Sequence, residues 1–179
     1  RCLSAFTAKS VPNAKDEPRT EVQACLAFLR WTRQQLDEAG REAQTVLTLN
    51  DGSYDTLEFW PGLPQNTVGV VRTARNRCLY YLPAVDAHGN CKYGEKAPAP
   101  HVWLKQRKGF TFQEVRVRGS LRRMRYRVEG PFVRDGLPGI PLFLIVIGGG
   151  KRPPQSRRKN YQPCFFLVSA VLRAGVWTL

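Results

Sequence analysis

"VLTLNDGSYDTLEFW", residues 46–60, decides how the rest of the chain is read. A short apolar run of β-type composition, residues 45–49, breaks abruptly at Asn50-Asp51-Gly52-Ser53. Asp and Gly are turn chemistry, because Asp bonds its own downstream backbone and Gly accepts conformations closed to other residues. Asp55 follows, with Glu58 three residues further on. That D-x-x-E spacing is expected to cap a short helix through Leu57, Phe59 and Trp60, stopped by Pro61-Gly62. Asp51 is then left with no helix to cap. It lies two residues beyond the strand, at the carboxyl edge where ligands gather in open α/β sheets. Two readings of Asp51 stand here: a turn residue, or a carboxylate held out for chemistry.

On the amino-terminal side, Thr20 and Gln23 form a T-x-x-Q capping box. Val22, Cys25, Leu26, Leu29 and Leu36 recur at helical spacing, Phe28 and Trp31 widen the apolar face, and Gly40 is a natural stop. Residues 1–19, broken by Pro12, Asn13, Asp16 and Pro18, read as a strand end and a loop. On the carboxyl side, residues 67–72 read as the next buried strand. Helix, strand, short helix and strand together form a layered α/β unit of βαβ type.

The character changes after about residue 76. Residues 114–118 and 123–128 alternate with period two around a turn-like Gly119-Ser120. They predict an antiparallel hairpin with one apolar face and one arginine face. Residues 140–147 predict a fully buried strand, ended by Gly148-Gly149-Gly150, and residues 164–168 another. The second half is therefore expected to be mainly β, giving two parts, 1–77 and 78–179.

The net charge of +14 is unevenly placed. Residues 1–64 hold seven Lys/Arg and nine Asp/Glu, whereas residues 65–179 hold twenty-one and five. A surface of that sign attracts polyphosphate, and nucleic acid is the default partner. Residues 105–127 carry nine basic side chains against one acid, Glu114. Arg116, Arg118, Arg125 and Arg127 would share one strand face and could track a phosphate backbone. Arg72, Arg75 and Arg77 cluster after the strand that follows Asp51, and Lys151, Arg152, Arg157, Arg158 and Lys159 crowd a loop with two prolines.

Other chemistries find little support. No apolar run approaches the ~20 residues a membrane helix needs, and no secretory leader pattern is present. The five cysteines are scattered without a C-x-x-C, which suits reduced thiols in an intracellular protein. His88 and Cys91 are three apart, but His101 and Cys78 complete no zinc spacing. No nucleophile elbow, phosphate loop or dinucleotide fingerprint occurs. Two-ion phosphoryl transfer needs several carboxylates, and Asp51 is the one acid in a strand-end setting.

"LTLNDGSYDTLEFWPGLPQNTVGVVRTARNRCLYYLP", residues 47–83, resembles the segment around the second catalytic aspartate of bacterial insertion-sequence DDE transposases. There a strand ends in Asp-Gly-x-Tyr/Phe, a short helix ends in Gly-Leu-Pro, and the next strand ends in spaced arginines. Here these are Asp51-Gly52-Ser53-Tyr54, Gly62-Leu63-Pro64 and the run from Arg72 to Arg77. "YGEKAPAP" (93–100), the Arg-rich strands and "YQPCFFLVS" (161–169) are also similar to the family. The likeness covers nearly the whole chain, most specifically residues 46–77.

The resemblance implies an α/β fold: part of a ribonuclease-H-like core over 1–77, with a mainly antiparallel β insertion over 78–179. It implies Asp51 as a catalytic residue and ligand of Mg²⁺ or Mn²⁺, two ions in the complete enzyme, which would cleave and join DNA phosphodiesters. The first aspartate and third glutamate would lie outside this chain, so the chain is expected to be an interior fragment, inactive by itself. DNA (transposon ends and target), a homodimer in the complete enzyme, no membrane, and a cytoplasmic, nucleoid-associated setting follow from the same likeness. The residues themselves leave open a non-enzymatic nucleic-acid binder with an arginine-faced sheet, and a nuclease on the same core.

Overall fold

The computed structural model describes residues 20–84, 91–106, 108–117, 119–149 and 162–169. Helix α1, Glu21–Glu38, starts where the capping box places it. The Thr20 hydroxyl accepts from the Gln23 amide at 3.2 Å, and the Gln23 side chain accepts from the Thr20 amide at 3.3 Å. It ends at Gly40, whose φ of +68° lets the Gly40 and Arg41 amides donate back to the Asp37 and Leu36 carbonyls. Arg33, buried on the same helix, donates to the Gln44 and Arg41 carbonyls and to Asp37, which ties down the connection to the sheet.

Strand β1, Val46–Asn50, leads through a 3₁₀ turn at Gly52–Tyr54 to helix α2, Phe59–Gly62, and strand β2, Thr67–Arg72. β1 and β2 are parallel, registered from Val46↔Thr67 to Asn50↔Val71. The expected βαβ-type unit is therefore present. β1 sits one residue later than its apolar run suggests, because Asn50 still pairs in the ladder. Strand β3, Leu79–Tyr81, and helix α3, Pro100–Trp103, follow. Strands β4, Thr111–Val117, and β5, Ser120–Arg134, form the hairpin; β6, Leu137–Ile147, and β7, Cys164–Val168, complete the sheet.

The strand order is β1-β2-β7-β6-β5-β3, with β4 also paired to β5. Every pairing except β1–β2 is antiparallel. The protein is thus mixed α/β, with a mostly antiparallel sheet and few helices. One core joins the helices to the sheet: Val22 and Leu26 of α1 and Phe59 and Trp60 of α2 meet Val71, Leu144, Val146, Phe165 and Leu167. Helix and turn approach so closely that a Cβ on Gly62 would lie 2.5 Å from Leu26 Cδ1. The sheet crosses residue 77 without a break, since β2 pairs with β7 from Val70↔Val168 to Arg72↔Phe166.

Two expectations need correction. β6 is not buried on both faces: Leu142, Leu144 and Val146 are enclosed, whereas Phe143, Ile145 and Ile147 are only half-buried. Continuous apolarity there reflects one face packed on the helices and the other merely lined by apolar neighbours. α2 does not start at Asp55 either; Glu58 occupies its N-cap without a side-chain bond.

Candidate functional site

Asp51 stands at the carboxyl end of β1, where its Oδ1 accepts from the Ser53 hydroxyl at 2.6 Å and from the Ser53 amide at 2.8 Å. It caps the 3₁₀ turn. The side chain is exposed. The Ser53 hydroxyl, then its amide, and Arg72 nearby hold the carboxyl below its ordinary range, so it is ionised.

Asp55 has the opposite environment. Its carboxylate is wholly buried, 2.5 Å from Arg77 Nη2 and 2.9 Å from Arg134 Nη1. Thr73 donates its hydroxyl to Oδ2 at 2.6 Å, and the Trp60 indole N–H lies 3.4 Å from Oδ1. Asp55 is therefore not the helix cap that its D-x-x-E spacing suggests. It is the anion of a buried ion cluster joining the turn after β1 to the end of β5. The arginines that enclose it lie too far away in sequence for a local pattern to show them. Burial pushes the Arg134 guanidinium below its ordinary pKa, against the pull of Asp55. Arg134 Nη1 is an ion-pair partner without an aligned hydrogen bond.

Next to Gly52, the residue after Asp51, opens a cleft of about 730 Å³. Arg72, Arg75 and Arg77 line one wall, His101, Leu104 and Lys105 another, and residues 162–165 the floor, with Gly52 at the Asp51 edge. The Thr73 amide donates to the Phe165 carbonyl at 2.9 Å, fixing wall to floor. His101 is held by its amide and its Nδ1, 3.0 and 2.8 Å from the Arg75 carbonyl. The structure thus gathers the three arginines of the 72–77 cluster. Arg77 is partly committed, since Asp55 neutralises it. His101 and Lys105 were not legible as members, because nothing in their own stretch points at residue 72.

The hairpin register puts Arg116, Arg125 and Arg127 on one face, as the alternation implies, together with Arg123. The face is not uniformly solvated. Arg127 is buried, paired with Glu129, bonded to Gln106 Oε1 at 3.0 Å and stacked 4.6 Å from the Trp103 ring centroid. It is a structural arginine, withdrawn from any ligand. Arg116 is exposed, and Arg125 is half-buried over Phe110 at 4.9 Å. Arg118, Lys151, Arg152, Arg157, Arg158 and Lys159 lie outside the described residues, as does the expected loop at 1–19.

The chain matches no protein-family model, and no curated protein matches it.

As a metal ligand, Asp51 fits one coordination position: it is ionised and exposed, and Ser53 engages only its Oδ1. A two-ion centre needs further carboxylates. Among the described residues no three His, Cys, Asp or Glu side chains come together to hold an ion, and Asp55 is consumed by arginines. The four described cysteines, Cys25, Cys78, Cys91 and Cys164, are free thiols. No described helix is long and apolar enough to cross a membrane.

Proposed function

We propose that this chain is part of a DDE transposase catalytic domain, the β1–β2 unit belonging to a ribonuclease-H-like core that handles DNA. One observation carries the reading: an ionised carboxylate at a strand's carboxyl end sits beside Arg72 at the edge of a cleft walled by arginine, histidine and lysine. A phosphodiester backbone suits such a wall, because Arg pairs bidentately with phosphate. Arg72 and Arg75, both exposed, supply the grip; Asp51 supplies one ligand position at the rim. Bound Mg²⁺ or Mn²⁺ would polarise the phosphodiester and activate the attacking oxygen. The remaining carboxylates would come from further sequence of the complete enzyme, which would act as a dimer on transposon ends and target.

Two measurements test this. In the complete enzyme, Asp51→Ala should abolish strand cleavage and transfer while DNA affinity stays within about twofold; a variant that still cleaves ends the assignment. For this chain, duplex affinity should fall linearly with salt on log–log axes. Arg72→Gln with Arg75→Gln should shrink that slope by about 1.8, roughly 0.9 per lost phosphate contact.

A second reading is favoured by a specific observation. Asp51 already has a complete local job as the cap of the 3₁₀ turn, and no ion-holding group completes it among the described residues. On that reading the chain is a non-enzymatic basic module that binds nucleic acid through the cleft and hairpin. It keeps the salt slope and loses the cleavage phenotype of Asp51→Ala.

A further inference from the structure

The outer part of the β4–β5 arm carries a pattern that the cleft does not use. On β5, successive arginines of one face each lie over an aromatic ring: Arg123 over Phe112 at 4.5 Å, Arg125 over Phe110 at 4.9 Å, and Arg127 over Trp103 at 4.6 Å. The innermost rung is closed by Glu129 and buried. Of the outer rungs, Arg123 is exposed and Arg125 half-buried. Phe112 keeps 55% of its surface exposed and Leu121, opposite Arg116 in register, keeps 63%.

We propose that this arm is a ledge for a single nucleic-acid strand, its phosphates paired with Arg116, Arg123 and Arg125 and a base stacked against Phe112. Residues two apart on a strand are roughly 6.4–6.8 Å apart. That repeat is of the same order as the step between successive phosphates of an extended polynucleotide. Stacking on rings holds the guanidiniums in place before the ligand arrives, so little side-chain freedom is lost on binding. Glu114 faces Arg123 across the ladder and leaves the ledge with a net positive charge. The space for Arg125 is built in: a Cβ on Gly148 would collide with the Arg125 side chain.

An unpaired strand fits this surface better than a duplex. A duplex offers phosphates but keeps its bases stacked, which would leave Phe112 and Leu121 as exposed apolar surface with nothing against it. A single strand offers phosphates and base faces together, and aromatic rings interleaved with arginines meet both. The inference rests on the nucleic-acid reading above for its ligand class, but uses different residues from the cleft.

The test is fluorescence anisotropy of the full chain with fluorescein-labelled oligodeoxythymidine and with a blunt duplex of equal length, each titrated with salt. Phe112→Ala should weaken oligodeoxythymidine binding about tenfold, within the range of stacking losses on alanine substitution, and leave duplex binding unchanged. Phe112→Trp should bind the oligonucleotide at least as tightly as the parent, which an unfolded arm could not do. Arg123→Gln should lower the single-strand salt slope by about 0.7. Phe112→Ala binding both ligands as the parent does, or losing both equally, overturns the proposal. Loss of the cleft reading shows separately, as duplex binding indifferent to the Arg72 and Arg75 substitutions.

Discussion

A carboxylate enclosed by two guanidiniums, a hydroxyl and an indole cannot be removed without stranding charge. Asp55→Ala would leave Arg134, with its side chain only 9% exposed, and Arg77 facing each other with no anion between them. Breaking a buried ion pair by deleting one partner typically costs about 3–5 kcal/mol. Urea denaturation of Asp55→Ala should show a loss of that order. Asp51→Ala removes an exposed cap and should leave the midpoint close to the parent's. A reversed order of the two variants would contradict the assignment of buried hub and surface cap. The sequence makes both aspartates visible but exchanges one role. Local spacing offers Asp55 a helix N-terminus, and only the fold brings Arg77, Thr73 and Arg134 around it. The strand-end position of Asp51 is local information, and it is where the apolar run and the Asp-Gly break place it.

Elements with long apolar periods sit where the sequence puts them, α1 with its capping box, β2 and β7, whereas the β4–β5 hairpin forms over the alternating runs but with longer strands, Ser120 pairing with Val117 instead of turning. β3 and α3 have three and four residues, too short for periodicity to register, and they exist through contacts such as the Ala97 amide donating to the Leu79 carbonyl. One contact between elements can be titrated. The Tyr54 hydroxyl, on the turn after β1, donates to Glu21 of α1 at 2.9 Å. That bond, then burial, pushes the phenol up to about 12. The group is protonated when it stabilises, and its folded pKa lies above the unfolded value of about 10. Its contribution is therefore full below about pH 10 and fades as pH rises toward 12. Ultraviolet phenolate titration of Tyr54→Phe should lose one late-ionising tyrosine and keep another, Tyr80, which its bond to Cys78 also pushes up to about 12. The stability gap between parent and variant should close across the same interval.

At the scale of the molecule, charge and packing divide the chain differently. The charge balance changes after residue 64 and the hydrophobic pattern after about residue 76, and the second change suggests parts that meet near residue 77. Packing ignores that line. β2 is hydrogen-bonded to β7 almost a hundred residues later, Ser169 and Gly69 exchange bonds at 3.0 and 3.1 Å, and Phe59, Trp60 and Val71 share one core with Leu144 and Leu167. Sequence separation of this kind is invisible to any window, which is why the elements are readable and the sheet order is not. The consequence is thermodynamic. If β2 and β7 hold each other, neither the 1–77 part nor the 78–179 part has a complete sheet alone, and they should unfold together. Far-ultraviolet dichroism and tryptophan fluorescence, which reports Trp31 and Trp60 before residue 77 and Trp103 and Trp177 after it, should trace one coincident urea transition. Leu167→Ala, at a fully buried site on β7, should shift both probes equally, by about 2–5 kcal/mol. A plateau between two transitions, with Leu167→Ala moving only one, would mean that the basic half folds as a unit of its own.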